Sequence, residues 1–501
     1  MLTVKVRGDF INGRFRRPRG AAQRIVSRDP GDVGYRIGTF PSFPEHADAA
    51  LGAASEASAG WARRDAAERV DLLRKFAAEV VNQRHRLKRL IAVESGKPLW
   101  EAGLEVAAVE AQVETEVREG VRSVSPFKVG EIRWGVSGSC TFPPLGVVVV
   151  LGPAAAPMDL PLSQILPALL AGNAVVFKPS KLVPACGQAI AELLAEVDLP
   201  RGVFNLVQGD AALGLELAAD PRCDAVLFCG AGPSGSRILE ATADQPHKLV
   251  ALQMGGVNPA LVLEDADLER AVYACLTGAM LTAGQRYSST GVALVARARW
   301  QDFVSACVEK ARQLGVGYAF DPGVFLGPLL SEAALERALD RQQQLVGRGV
   351  RRLLASEAVE LERPGHYLSP GVLALEEPLE LDALRPGGQS FGPDLVLMPF
   401  AREAEAVALA NSSAWRLSCA VLTEDTERFE RLAAELRFGL INHNLATTEI
   451  SMRLPLLGRG RCSNQRPAGI YTQRNCTAPQ SSLRAPGPFD PTRCLPNYRR
   501  S

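Results

Sequence analysis

The chain has 501 residues, 47% of them hydrophobic and 22% charged, with 45 glycines and 34 prolines; at about 100–200 residues per domain it is long enough for several domains, each with its own core. Its 56 basic and 55 acidic residues leave a net charge of +1, which excludes bulk electrostatic binding to nucleic acid or an anionic membrane. These are ordinary globular fractions, so wholesale disorder is excluded too.

The N-terminal segment Met1–Phe10 has no long apolar stretch of the signal-peptide kind. Residues 64–95 carry apolar side chains at Val70, Leu73, Ala77, Val80, Leu87 and Ile91. That spacing predicts an amphipathic helix, closed by Gly96 and Pro98. The most apolar stretch, 145–177, is broken by Asp159, Gln164 and prolines from Pro153 onward. A membrane helix needs about 20 uninterrupted apolar residues, so the chain is expected to be cytoplasmic, with no membrane partner. From Val147 the pattern becomes strand, helix, strand: 147–151, 174–177, 203–207 and 225–228 read as buried strands separated by helices. Such alternation predicts βαβ units and a parallel sheet. A second series starts at 259–263 and runs to about Val421, predicting a second α/β domain. Segments 127–142 and 439–443 read as edge strands or a small accessory sheet, and the Pro/Arg-rich 484–501 as a loose tail.

Ten cysteines, at 140, 186, 223, 229, 275, 307, 419, 462, 476 and 494, are scattered without C-x-x-C spacing, which argues against a zinc site and a disulfide framework. His46, His85, His247, His366 and His443 are isolated as well, so no metal is expected. Gly230-Ala-Gly232-Pro-Ser-Gly235 matches G-x-G-x-x-G between a predicted strand and a helix over 236–242. The acidic residue expected about 20 positions later is missing. The motif therefore reads equally as a phosphate-binding turn or as a plain strand-to-helix turn.

In order along the chain, Phe10-Ile-Asn-Gly13, Glu94-Ser-Gly-Lys-Pro-Leu-Trp100, Ala168-Leu-Leu-Ala-Gly-Asn through Phe177-Lys-Pro-Ser180, Asn258-Pro259, Gly327-Pro328 and Phe391-Gly-Pro393 resemble the aldehyde dehydrogenase superfamily. Met254-Gly-Gly256, Gly284-Gln-Arg286 and Asn464-Gln-Arg-Pro-Ala-Gly469 resemble its succinylglutamate-semialdehyde dehydrogenase branch. The resemblance implies an α/β fold of that family: a Rossmann-like nucleotide-binding domain (1–125 and 145–252), a second α/β catalytic-type domain (253–440), and a small β arm (126–144 and 465–490) that joins subunits into a homo-oligomer.

The family's reaction uses a cysteine thiolate on the aldehyde carbon, a glutamate that activates the hydrolytic water, and an asparagine in the oxyanion hole. By resemblance those places fall on Tyr287, Gln253 and Ala155. An amide is no general base, a loss of about 10²–10⁴ in rate. Alanine removes one oxyanion donor, roughly 10²–10³. A phenol with a pKa of about 10 is protonated at neutral pH, so no thioester is expected. Ser288 and Ser289 read as surface or capping serines rather than rescue nucleophiles, and Cys229 and Cys275 as small buried core residues.

For a cofactor, the resemblance points to Lys178, Ser180, Lys181, Gly209, Gly230, Gly232, Gly235, Gln389 and Phe391. Lys178 keeps the residue that reaches the adenosine ribose. Lys181 replaces a glutamate, which reads either as an accommodation of the NADP 2′-phosphate or as a solvated lysine. Gln389 replaces the glutamate of the nicotinamide ribose, so binding of NAD or NADP is expected to be weakened or absent. His443 falls on a stretch that lines the family's substrate channel, or is a partly buried loop histidine. The expectation is a non-catalytic binding, regulatory or structural subunit, with a catalytic protein as a candidate partner. The alternative is an NADPH-dependent aldehyde reductase with Tyr287 as proton donor, which needs a phenol made more acidic.

Overall fold

The computed structural model describes residues 4–16, 23–133, 135–377, 379–384 and 392–488. Two seven-stranded sheets organise it. The first runs in the order Leu249–Met254, Ala225–Gly230, Val147–Leu151, Ala174–Lys178, Phe204–Leu206, Phe10–Ile11 and Arg14–Phe15. The strands from Leu249–Met254 to Phe204–Leu206 are parallel, and an antiparallel hairpin closed by Asn12 and Gly13, both at positive φ, completes the edge. That two-residue turn is the one whose twist suits a hairpin.

Alternate residues of the apolar strands serve opposite faces, so both faces must be covered. Val148, Val150, Val175 and Phe177 pack with Leu162, Ile165 and Leu169 of the helix Asp159–Ala171 and Ile190 of Pro184–Ala195. Val147, Val149, Leu151 and Val176 pack with Leu51, Leu213 and Leu217 on the other side. The chain leaves Val147–Leu151 toward Ala174–Lys178 and later returns to pair Ala225–Gly230 on the other flank. The crevice at that reversal, beyond the carboxyl ends of the strands, is where open α/β sheets receive ligands.

The second sheet is ordered Arg351–Leu354, Gly371–Ala374, Asp394–Phe400, Val292–Ala296, Pro259–Val262, Ser418–Leu422 and Leu440–His443. All neighbours are parallel except the first pair. Residues 439–443 thus supply an edge strand of this sheet, not an accessory sheet. Phe127–Arg133, Val136–Thr141 and Gln480–Arg484 form a separate antiparallel sheet, with Phe127, Val129, Ile132 and Leu483 exposed.

Helix Ala66–Ser95 ends where expected, with Gly96 in the left-handed region as its cap. Two boundaries differ from the sequence reading. The helix after the glycine motif starts at Gly232, not Ser236, and spans Gly232–Ala241, because Pro233 suits a first helical turn. Arg484 belongs to the strand Gln480–Arg484 rather than to a loose tail, and residues 489–501 lie outside the described residues. Among the described residues no helix is long and apolar enough to cross a membrane.

Candidate functional site

The site is built from four segments that meet at the carboxyl end of the first sheet. Ala155 follows the strand Val147–Leu151, Lys178 ends Ala174–Lys178, Gly230 ends Ala225–Gly230, and Gln253 lies one residue before the end of Leu249–Met254. The fifth wall is the loop 282–289, which leads from the helix Leu268–Met280 into the strand Val292–Ala296.

That loop is strained and tied down. Thr282 and Ala283 hold positive φ angles of 55° and 50° without being glycine, a cost of about 1–3 kcal/mol each. Buried Glu101 compensates: it accepts from the Thr282 N–H (3.1 Å) and hydroxyl and pairs with the Arg286 guanidinium at 2.7 Å. Burial alone would raise the Glu101 carboxyl, but the charges of Arg286 and Lys97 outweigh it and hold the group below the usual carboxylate range. Downstream, the Asn258 amide donates to the carbonyls of Gly256, Tyr287 and Ser289 at 3.0–3.1 Å.

Tyr287, so positioned, borders three spaces. On one side is a cavity of about 200 Å³ lined by Pro153, Ala155, Gly230, Ala231, Ser331 and Arg337. On the other is a funnel of about 520 Å³ running past Glu105, Gln112, Asp159 and Arg453. Ala155, Leu160 and Tyr287 line both, so they form the partition between them. The third is a void of only about 10 Å³ shared with Gln253, Cys462 and Ser463, at the bottom of what a single water needs. The Gln253 Oε1 there accepts no hydrogen bond. Burial raises the Tyr287 phenol, Cys229 and Asp159 add to the rise, and Arg286 opposes it. The structure therefore places Ala155 and Gln253 each beside Tyr287, but in different spaces: Ala155 along the two larger ones and Gln253 in the small void.

Ser288 and Ser289 are buried, 2% and 8% exposed, which corrects the expectation of surface serines. The strand that follows pulls them inward, where Thr447 donates to the Ser288 carbonyl at 2.8 Å. His443 does not line the funnel: its ring stacks on Phe429 and its Nε2 meets the Thr423 carbonyl at 3.0 Å. Burial pushes the thiols of Cys229 and Cys275 up to about 12, so neither is an activated nucleophile. The nine described cysteines are all buried and unbridged, and Cys494 lies outside the described residues.

The cofactor positions are mixed. Lys178 is buried, and its ammonium donates to the carbonyls of Pro179 (2.8 Å) and Gly209 (3.2 Å); burial lowers it to about 8. One of its three N–H groups is left for a ligand. Ser180 accepts from the Leu182 N–H, and Lys181 is exposed beside a separate cavity with Asp29, Glu332 and His366. In the glycine turn, a Cβ at Gly232 would lie 2.3 Å from the Trp415 ring and one at Gly235 2.4 Å from the Met254 sulfur, so side-chain packing already demands these glycines. Pro233 offers no N–H, the Ser234 N–H is spent on the Ala231 carbonyl at 3.0 Å, and Ala231 gives no side-chain cap. Gln389 and Phe391 lie outside the described residues.

What sequence reading missed is the ionic floor of the funnel. Lys97 and Glu105 form a buried ion pair, and the other Glu105 oxygen accepts from the N–H groups of Met158 (2.9 Å) and Asp159 (3.2 Å). Asp159 is half-buried; burial and the Glu105 charge raise its carboxyl to about 7 against the pull of Lys97 and Arg286. Glu101, Glu105 and Gln112 recur on one face of the helix Leu99–Arg118, a polar stripe that passes for a solvated face. Among the described residues no group of three or more His, Cys, Asp and Glu converges as for a metal ion.

The family model described as "Aldehyde dehydrogenase family" matches residues 19–481. N-succinylglutamate 5-semialdehyde dehydrogenases from Chromobacterium violaceum and Cronobacter sakazakii are 35% and 36% identical, covering 95% of this chain and 96% and 95% of theirs. Lactaldehyde dehydrogenase from Escherichia coli superposes with a TM-score of 0.89 at 29% identity, over 95% of this chain and 99% of that one. An NAD-dependent aldehyde dehydrogenase from Sinorhizobium meliloti gives 0.92 at 26%, over 97% and 96%. The chain belongs to the aldehyde dehydrogenase family and has its fold.

Replacing Glu101 by alanine should strip the half-buried Arg286 guanidinium and the strained loop of their buried partner. The expected cost is about 3–5 kcal/mol in thermal or denaturant unfolding, with early proteolytic cleavage at 282–289. For Asp159 the sign follows from a folded-state pKa raised above the unfolded value. Ionisation is opposed in the fold, so the group weakens stability as pH rises from about 4 through about 7. Asp159→Asn should remove that slope, its stability gain over the parent growing across that window to about 4 kcal/mol at most and then levelling off, measured by unfolding at stepped pH.

Proposed function

We propose that this member of the aldehyde dehydrogenase family does not carry out thioester-forming aldehyde oxidation, and acts as a non-catalytic binding or regulatory subunit. One observation carries the reading: a half-buried, protonated Tyr287 ring forms the partition where a thiolate would have to face both cavities. A phenol whose acidity is lowered further cannot serve as nucleophile at neutral pH. The neighbouring changes point the same way. Gln253 cannot accept a proton from water, and the void it shares with Tyr287 leaves scarcely one water's room. Ala155 offers no side-chain donor to an oxyanion. These effects act on one step and are not multiplied together.

The dinucleotide site fits its ligand poorly. Of the expected cofactor positions among the described residues, only Gly230 lines the cavity of about 200 Å³ beside Tyr287. The Lys178 ammonium and the helix start offer few unspent donors. Weak binding of NAD or NADP follows from these spent donors. The reductase alternative needs a Tyr287 more acidic than free tyrosine, whereas burial makes it less so. The names of relatives at 35% and 36% identity favour an active dehydrogenase, which would oxidise aldehydes with NAD or NADP at a measurable rate. The exposed Phe127, Val129, Ile132 and Leu483 on the small sheet support homo-oligomer formation through it.

With NAD or NADP and N-succinylglutamate 5-semialdehyde or short aldehydes, the purified protein should show no oxidation above that of Tyr287→Ala. A rate clearly above background that Tyr287→Ala abolishes would overturn the proposal. Calorimetric titration with NAD(H) and NADP(H) is expected to give dissociation constants of about a millimolar or weaker; micromolar binding would refute the claim of a degraded cofactor site.

A further inference from the structure

We propose that the funnel receives a small organic cation, a compound carrying a primary ammonium group, rather than a dicarboxylate, with Asp159 as its ionic partner and Gln112 as its hydrogen-bond acceptor. The inference rests on the reading that this site binds rather than oxidises, and it names the class of what is bound.

The first observation is the charge pattern of the lining. Lys97, Arg286 and Arg453 are the cations of the funnel wall. Each is already committed, to Glu105, Glu101 and Glu119 respectively. The carboxyls of Asp159 and Glu449 also line it, and among the described residues neither has a hydrogen bond or an ion pair. A dicarboxylate entering would therefore meet cations whose charge is cancelled and two carboxylates that repel it. An ammonium would meet the reverse.

The second observation is independent of charge. Gln112 is only 4% exposed and lines the same funnel, yet neither atom of its side-chain amide has a hydrogen-bond partner. A buried amide without partners costs about 1–3 kcal/mol, and a ligand N–H that reaches its oxygen would recover part of it. At about 520 Å³ the space suits a small molecule. The walls between the polar groups are apolar, supplied by Leu104, Ala108, Ile450 and Met452, which fits a carbon chain. No set of three or more metal-ligating side chains converges among the described residues, so the cation is organic.

Asp159 is held at the start of the helix Asp159–Ala171. The charged or titratable groups acting on it are Glu105, Lys97 and Arg286, and it acts in turn on Tyr287 and Cys229. Seating an ammonium beside it favours the ionised form, so the ligand should displace a proton: roughly half a proton at pH 7 for a carboxyl poised at about 7.

The test titrates the full-length protein by calorimetry with 1,4-diaminobutane and, as a dianion of similar length, glutarate. The diamine is expected to bind at least about ten-fold tighter than glutarate. Paired buffers of different ionisation enthalpy should report the released proton. Asp159→Asn should weaken the diamine about ten-fold or more and abolish proton release, and Gln112→Leu should weaken it a few-fold. Equal or tighter binding of glutarate, no saturable binding of the diamine, or an unchanged affinity in Asp159→Asn would each overturn the proposal. The comparison of the two ligands on the unaltered protein needs no variant to fold. Aldehyde oxidation is scored separately: an active enzyme that still prefers the diamine refutes the non-catalytic reading and leaves the cation preference standing.

Discussion

Everything at the site hangs on one buried carboxylate. Glu101 reaches from the helix Leu99–Arg118 to the loop 282–289, where it satisfies the Thr282 amide and hydroxyl and neutralises Arg286. Two non-glycine residues can then hold left-handed backbone just ahead of Tyr287. Such a charge is tolerated in the interior only when its partners are complete, so the helix and the loop are fixed to each other. The geometry of the partition, with Ala155 on one side and Tyr287 on the other, follows from that tie.

The family fold was legible because it is written in long-range order: apolar strands of 147–151, 174–178 and 225–230, a glycine-capped turn at Gly172, and short motifs in a set sequence. Both faces of the sheet are buried, so the strands could hardly have been anything but apolar runs. The positions of Ala155, Gln253 and Tyr287 were legible for the same reason, each sitting at a fixed offset from a motif.

What stayed hidden depends on the third dimension. Asp159 was visible only as an interruption in an apolar stretch, since nothing local tells that Glu105, Lys97 and Arg286 surround it. Gln112 lies on a polar helical stripe that alone reads as a wet surface. The burial of Ser288 and Ser289 is set by the strand that follows and by Thr447, more than a hundred residues away. The glycine motif reads equally as a phosphate turn or a plain turn in sequence, because nothing local tells that Trp415 and Met254 press against the missing side chains of Gly232 and Gly235.

Asn258 adds a consequence of its own. Its amide grips the carbonyls of residues 256, 287 and 289, and the Gly256 N–H also holds the Tyr287 carbonyl, at 3.1 Å. All of these contacts are to main-chain atoms, so the mount takes no notice of which side chain it carries. Residue 287 is in effect an interchangeable fitting on a fixed bracket. A lineage with this bracket can trade one chemistry for another, or for none, through changes that the main-chain mount itself does not register.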